Sequence, residues 1–195
     1  MSLLQRIAGL QLREFSLDRW QRALDYPMPT ASGMVINHDN AMKISAVNSC
    51  VRIISETIAT LPLSLYEPLP GGGAREVTED PLYELLKYSP NPEQSAVDFW
   101  EMQSAYGAIR GNSIAQIVRA KRDGRPLELW PIPIDRVSIK RKSGMLVYII
   151  QPANGVGEPV EIIEDDIMHF RLSSRDGIMG MSPIEYARDT FGLAV

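Results

Sequence analysis

The spacing of apolar residues changes from a helical to a strand period near Gly111-Asn112, and this change limits the fold more than any other feature. Residues 95–98 have the pattern of a capping box, after which apolar residues follow at helical spacing: Phe99, Met102, Tyr106 and Ile109. Beyond the change, residues 114–119 alternate, and Asp123-Gly124 marks a hairpin turn into residues 127–130. We therefore predict an α+β domain, with helices first and antiparallel strands after them.

A second long helix is predicted over residues 44–61, where Pro62 ends it. Its apolar residues fall along one stripe, the pattern of a face that packs on a core: Val47, Val51, Ile54, Ile58 and Leu61. A short strand over 63–66 and a glycine-rich loop over 68–73 follow. Asp80-Pro81 then predicts the start of a short helix over 82–88, because aspartate caps free amides and proline suits the first turn.

Further strands are predicted after the hairpin, while two prolines keep the connecting segment away from the middle of a sheet. These prolines are Pro131 and Pro133, and the strands are 137–139, 145–150, 160–163 and 167–170. The predicted fold is thus two long helices followed by a meandering, mostly antiparallel sheet, ending at the start of a long helix.

That last helix has the clearest start signal in the chain. Ser182 is a capping serine, Pro183 stands at the first helical position and Glu185 at the third. Helical spacing continues through Ala187, Phe191 and Ala194 without a C-terminal capping sequence. We therefore expect this helix to run on, and the 195 residues to resemble the front part of a longer protein.

The predicted domain organisation has three parts: 1–39, 40–181 and 182–195. The first part has loosely helical apolar spacing before Pro27 and Pro29, which predicts a peripheral helix followed by an extended arm. Two alternatives stay open for the arm, packing on a neighbouring subunit or disorder. The second part is the α+β domain and the third is the start of the last helix.

Composition excludes several classes of protein. Apolar residues make up 45% of the chain and charged residues 23%, far from the composition of a disordered protein. A single cysteine, Cys50, excludes an intramolecular disulfide framework and cysteine-based zinc clusters. The longest uninterrupted apolar stretch, residues 145–150, is far short of the ~20 residues that a membrane-spanning helix needs. We predict no membrane association.

Charge is uneven along the chain. The net charge is −4 overall, from 20 basic and 24 acidic residues, yet residues 119–144 carry a local excess of cations. Within that segment Lys140, Arg141 and Lys142 adjoin a Ser-Gly turn, so they are candidates for nonspecific contact with DNA phosphates. The alternative is a pair of solvated strands with long basic side chains.

An enzyme hypothesis would begin with Asp165, Asp166 and His169, which could in principle bind a divalent ion or supply a base. In a strand, however, Asp166 and His169 would lie on opposite faces. Cys50 has no histidine or obvious base on its helix. Phosphate-binding glycine loops, nucleophile elbows and zinc-protease motifs are missing from the sequence. We predict no catalytic residue, no metal and no cofactor.

A series of motifs resembles the large portal-protein family of tailed bacteriophages, in order and spacing. Residues 45–63 resemble the first helix of that family, and the similarity covers roughly Asn40 to Val195. The remaining motifs are Asp80 to Leu86, Pro90-Asn91-Pro92, Phe99-Trp100, Gly111-Asn112, Leu129 to Val137, Asp166 to Arg171 and Asp176 to Glu185.

The resemblance implies a non-enzymatic subunit of a ring, typically a dodecamer, at one capsid vertex. Double-stranded DNA passes through such a ring, which docks terminase, capsid or scaffold proteins and head-completion proteins. Localisation would be the virion, with the host cytoplasm during assembly, or a prophage as the source. Residues up to about 181 resemble the peripheral wing, and the helix from Pro183 resembles the start of the stem. Two alternatives stay open: another phage structural adaptor without a DNA tunnel, and a metal-dependent hydrolase.

Overall fold

A computed structural model describes residues 37–187 of the chain. The predicted N-terminal helix and arm, and the predicted course of the last helix from residue 188 onward, lie outside the described residues. Within them the chain is a mixed α+β structure, which confirms the predicted fold class. No helix among residues 37–187 is long and apolar enough to cross a membrane.

Among residues 37–187 there are five α-helices, and four of them begin with a side-chain cap, whereas the helix Ser45–Thr60 has none. Asp80 accepts a hydrogen bond from the Leu82 amide at 2.8 Å, and Ser95 with Asp98 makes the predicted capping box. The helices are α1 His38–Met42, α2 Ser45–Thr60, α3 Pro81–Lys87, α4 Ala96–Arg110 and α5 Pro183–Tyr186. Gly111 ends α4 in the left-handed conformation, φ 74°, as the sequence predicts.

The eight strands in the described part of the chain pair entirely antiparallel, in three sheets. The strands are β1 Tyr66–Pro68, β2 Ala74–Glu76, β3 Asn112–Arg119, β4 Pro126–Ile132, β5 Val137–Lys142, β6 Met145–Ile150, β7 Val160–Ile163 and β8 Ile167–Arg171. β1 and β2 form a hairpin, and the other sheets have the orders β4-β3-β8 and β5-β6-β7. The strands predicted from residue 114 onward are present, but they divide between two sheets because β8 returns to pair with β3. The strand predicted over 63–66 was misplaced: β1 begins at Tyr66 and pairs with β2, which the sequence analysis did not predict.

Strand β3 is the centre of its sheet and contributes to two cores. Ile114 packs with Ile139 and Tyr148 in a core between the two three-stranded sheets. The next residue, Ala115, points to the opposite face and packs with Phe99 of α4 and Leu129 of β4. A third, smaller cluster joins α1 to α5 through Ala41 and Ile184. Strand alternation thus places β3 between the helices and the second sheet.

Pro131 lies within β4 and shows why a proline is tolerated there. β4 is an edge strand, bonded only to β3, so the missing N–H of a proline costs no ladder bond on its open side. The sequence predicted that this segment stays out of the middle of a sheet, and the observed position agrees.

Helix α2 packs along α4, but with a different face from the one that its apolar stripe predicts. Val51 is the only member of that stripe that is buried; the other buried residues of α2 are Ser55 and Ala59. Ile54 and Ile58 are about half exposed. The prediction of a helix was right, and the prediction of its inward face was wrong, because α2 buries a face that carries the small residues Ser55 and Ala59.

Candidate functional site

The start of α5 is held by contacts from two distant parts of the chain. The Ser182 hydroxyl accepts a hydrogen bond from the Glu185 amide at 3.3 Å and donates one to the Ile109 carbonyl, in the last turn of α4, at 2.8 Å. Pro183 occupies the first helical turn. The predicted helix start is therefore present, and it is also attached to the end of α4.

His38 adds a third contact to Ser182. Its Nε2 atom lies 3.1 Å from the Ser182 hydroxyl and 3.7 Å from a carboxylate oxygen of Glu185. Because a hydroxyl has one hydrogen, which Ser182 gives to Ile109, His38 must donate to Ser182 through Nε2–H. α1 is thus joined to the first turn of α5.

Two glycines allow residues 172–181 to cross the C-terminal end of α4 with no side chain between the two backbones. A Cβ atom on Gly180 would lie 2.0 Å from the Gly111 carbonyl oxygen, and one on Gly111 would lie 2.2 Å from the Met181 carbonyl oxygen. The Leu172 amide donates to that same Gly111 oxygen at 2.9 Å. Leu172 and residues 180–181 therefore lie in direct contact with the C-terminal end of α4.

Asn112 is the polar centre of the crossing. Its side-chain oxygen accepts hydrogen bonds from the Gly180 amide at 2.7 Å and from Nε2 of His169 at 3.1 Å. Its amide nitrogen donates to the carbonyls of Gly180 at 2.8 Å and Arg110 at 3.2 Å. Every hydrogen-bonding atom of this side chain is used, so Asn112 fixes Gly180 from both sides.

His169 links this crossing to the second sheet. Nε2 donates to Asn112, so Nδ1 is the acceptor of the hydrogen bond from the Tyr148 hydroxyl at 3.1 Å. Burial, aided by the positive charge of Arg171, lowers the pKa of His169 to about 4. A histidine that is neutral and engaged through both nitrogens has a structural role here and presents no free ligand atom.

The loop before α5 is shaped by Asp176. Burial acts to raise the pKa of this carboxyl, but hydrogen bonds from the amides of Met179 and Ile178 and from Ser174 outweigh it, so the pKa lies below its ordinary value. The two amides are 2.9 and 2.8 Å from the same carboxylate oxygen. The ionised carboxylate therefore stabilises the turn at residues 176–179, which leads directly to Gly180.

The basic candidates Lys140, Arg141 and Lys142 are exposed at the end of β5. Lys142 forms an ion pair with Glu161, with its Nζ atom 2.6 Å from one carboxylate oxygen. Arg141 donates to the Gly144 carbonyl at 2.6 Å. Contact with phosphate through these residues stays a prediction, and for Lys142 it would compete with Glu161.

Asp165, Asp166 and His169 are separated by their partners. Arg119 binds the Asp166 carboxylate through Nε at 2.8 Å and the Asp165 carbonyl at 2.7 Å, whereas His169 turns to Asn112 and Tyr148. Within residues 37–187, no group of three or more metal-ligating side chains occurs. Cys50 is exposed on α2. Arg119 thus binds at Asp165 and Asp166, while His169 is engaged elsewhere, so these three residues do not converge on one site.

Sequence reasoning found Ser182, Pro183 and Glu185 but missed Asn112, Gly180 and His38. Asn112 follows a helix-ending glycine and so resembled an ordinary cap, and its partner is 68 positions away in the sequence. Only a fold that brings β3 beside residues 172–181 reveals the function of these side chains.

Comparison with known proteins matches this chain to one family. The model of the phage portal protein family matches residues 45–195. The portal protein of Enterobacteria phage HK97 is 30% identical over 161 residues, which cover 82% of this chain and 37% of the relative. The chain therefore spans about a third of the length of that relative.

Two solved particle necks contain chains with a similar fold. One is the neck of an empty gene transfer agent particle computed with C6 symmetry, with TM-score 0.62, 21% identity and coverage of 80% of this chain and 42% of that chain. The other is the neck of a native particle computed with C12 symmetry, with TM-score 0.55, 20% identity and coverage of 76% and 38%.

The matched residues 45–195 include α2, both three-stranded sheets and the start of α5. The identity to the HK97 relative extends over most of the same region. The portal family is structural and not enzymatic. The chain belongs to the phage portal protein family.

Proposed function

We propose that this chain acts as the wing-like part and the first stem-like residues of a portal subunit, in a homo-oligomeric ring of typically twelve copies at a capsid vertex of the virion. The observation that carries the proposal is the family match over residues 45–195. The fold shared with chains of particle necks computed with C6 and C12 symmetry supports a ring. Assembly would take place in the host cytoplasm.

The start of α5 supports this role by its attachment. Ser182 is bonded to Ile109 of α4, and Asn112 holds Gly180 by two hydrogen bonds. A stem helix that begins there would leave the wing in a direction set by α4 and β3. Such attachment suits a subunit whose repeated copies must present their stems at one common angle around a ring.

The proposed conduit passes double-stranded DNA during packaging and ejection, and docks terminase and head-tail proteins. Electrostatics support passage without tight binding, because each neutralised phosphate would add affinity and friction. The net charge is −4, and Arg119 and Lys142 of the basic segment are paired with Asp166 and Glu161. We expect only weak, sequence-independent DNA affinity that decreases with salt.

A hybrid subunit tests the ring. Residues 45–187 of this chain would replace the matching part of the HK97 portal protein, with the unmodified HK97 protein as the control. Native mass measurement and negative-stain microscopy should show rings from both proteins, whereas the 195-residue chain alone should be a monomer or small oligomer. A hybrid with native circular dichroism that stays monomeric, while the control forms rings, would contradict the proposal.

DNA titration tests the conduit separately. Labelled duplexes of different sequence would be titrated at rising ionic strength with the 195-residue chain and with a Lys140→Ala/Arg141→Ala variant. We expect weak binding of all duplexes alike, reduced further in the variant. Tight binding of one sequence that persists at high salt would indicate a sequence-specific DNA-binding protein.

A further inference from the structure

One face of α2 carries four large aliphatic side chains that the described fold leaves exposed. Ile53, Ile54, Ile58 and Leu61 are 64%, 47%, 45% and 61% exposed. Ile54, Ile58 and Leu61 share one side of the helix because they are spaced by four and three residues. Large aliphatic side chains grouped in this way usually mark a surface that another polypeptide segment covers.

The N-terminal end of this side of α2 is already covered by α1 and α5. Val47 lies two turns before Ile54 on the same side of α2, and it is half-buried against the cluster that Ala41 of α1 forms with Ile184 of α5. The chain that precedes α1 therefore enters the described fold at the end of the stripe that is already covered. Further along the stripe, Ile54, Ile58 and Leu61 have no comparable cover from residues 37–187.

We propose that residues 3–24 of the same chain bind the exposed face of α2, which we define as Ile53, Ile54, Ile58 and Leu61. This segment carries large apolar side chains at helical spacing, with Phe15 and Trp20 among them. The proposal concerns contact within one chain and does not depend on ring assembly.

The connection is long enough for such contact. Helix α2 has 16 residues, so its length is about 24 Å. Residues 26–36 can span up to about 36 Å when extended, and Pro27 and Pro29 favour extended backbone. The N-terminal segment can therefore reach every position along the exposed face.

Charge agrees with an apolar contact. The exposed face itself carries no charged side chain, and the nearby Arg52 and Glu56 pair with each other at 2.8 Å. The N-terminal segment mixes both signs: Arg6, Arg13, Arg19 and Arg22 with Glu14 and Asp18. Neither strong repulsion nor strong attraction between charges determines this contact. The apolar area that it buries therefore determines its strength.

Tethering favours this occupant over a second copy in dilute solution. A segment joined by a short connection within the same chain has an effective concentration of about 1 mM, far above a micromolar protein concentration. A weak contact with a dissociation constant of about 100 μM would then be occupied about nine-tenths of the time. Residues 188–195 are the competing segment, and the test includes them.

Cys50 is a natural reporter of this contact. It is the only cysteine in the chain, it is exposed among residues 37–187, and it stands four residues before Ile54 on the same side of α2. The rate of its reaction with a thiol reagent would be measured in the full 195-residue chain and in a chain without residues 1–25. We expect the rate to rise about tenfold on deletion, following the occupancy above.

Further variants distinguish the occupants. Trp20→Asp in the full chain should raise the rate about as much as the deletion, and Gln21→Asp, its polar neighbour, should not. Deleting residues 188–195 should leave the rate unchanged. A synthetic peptide of residues 1–25 should restore protection to the deleted chain, and a scrambled peptide should not. Circular dichroism would confirm that each variant is folded.

Two results would overturn the proposal. Equal rates in the full and deleted chains, with no effect of Trp20→Asp, would show that residues 3–24 do not cover the exposed face. Protection that increases with protein concentration over the micromolar range would instead identify a second copy of the chain as the occupant.

Discussion

Helices α2 and α4 have nearly equal lengths, 16 and 15 residues, but they occupy different environments. α4 lies between α2 and the β4-β3-β8 sheet, so Phe99 can enter the sheet core while Gln103 and Gly107 are also buried. α2 packs on α4 through a narrow face of small side chains and leaves its large ones exposed. The two helices differ in burial because α4 packs on both a helix and a sheet, whereas α2 packs mainly on α4.

This comparison shows what an apolar stripe can predict. Period 3.6 indicates that a segment is helical, and both helices confirm that inference. The face that turns inward depends on the partner. A sheet accepts a large ring such as Phe99, while a second helix at close range favours Ser55 and Ala59.

The largest expected effect is the loss of stability on truncating Phe99, and it tests whether α4 is better packed than α2. Phe99→Ala should lower the free energy of unfolding by about 3–5 kcal/mol, because the ring is fully buried and its loss leaves a cavity. Ile58→Ala on α2, made in the chain without residues 1–25, should cost less than about 1 kcal/mol, because that side chain is half exposed in the described fold. Urea denaturation of both variants measures the difference. Equal losses would show that α2 is as well packed as α4.

A smaller effect concerns how the end of α4 is fixed through Asn112 and His169. The pKa of His169 is lowered from 6.5 to about 4, so its contribution to stability is complete above pH 6.5 and is lost as the pH falls towards 4. Between pH 7 and pH 4.5 the chain should lose about 2 kcal/mol through this group.

The variant His169→Gln separates this loss from the titration of carboxylates. Glutamine does not titrate, so its pH dependence should be weaker than that of the original chain by about the same 2 kcal/mol. Urea denaturation at both pH values checks this. Identical pH dependence in the two proteins would mean that protonated His169 is tolerated in the fold.

The smallest expected effect is a gain in stability at Gly107 in α4, and it is compared with a change at Gly111, which ends the same helix. Gly107 is buried, but a Cβ atom built there meets nothing within 4 Å. Gly107→Ala should therefore raise the free energy of unfolding by about 0.5–1 kcal/mol through helix propensity. The contrasting variant is Gly111→Ala, which should destabilise, because φ is 74° and the new Cβ would lie 2.2 Å from the Met181 oxygen. Thermal denaturation distinguishes a gain from a loss.

Local signals predicted the elements well. The capping box of Ser95 and Asp98, the Asp80-Pro81 start and the Ser182-Pro183 start each act within three or four residues, so the sequence alone shows them. The same holds for the hairpin of β3 and β4. The basic residues Lys140 to Lys142 were also located correctly at a strand end, although their phosphate contact stays a prediction.

Most helices and strands, and their order, could be predicted from the sequence, because capping and hydrophobic period are properties of neighbouring residues; the short elements α1 and β2 could not. Only the tertiary structure decided that β8 pairs with β3, that α2 turns its small face inward, and that Asn112, His169 and Gly180 meet. Those outcomes depend on contacts between residues about 50 to 70 positions apart. Backbone close approach at Gly111 and Gly180 is likewise a property of two segments together, and neither glycine shows it alone.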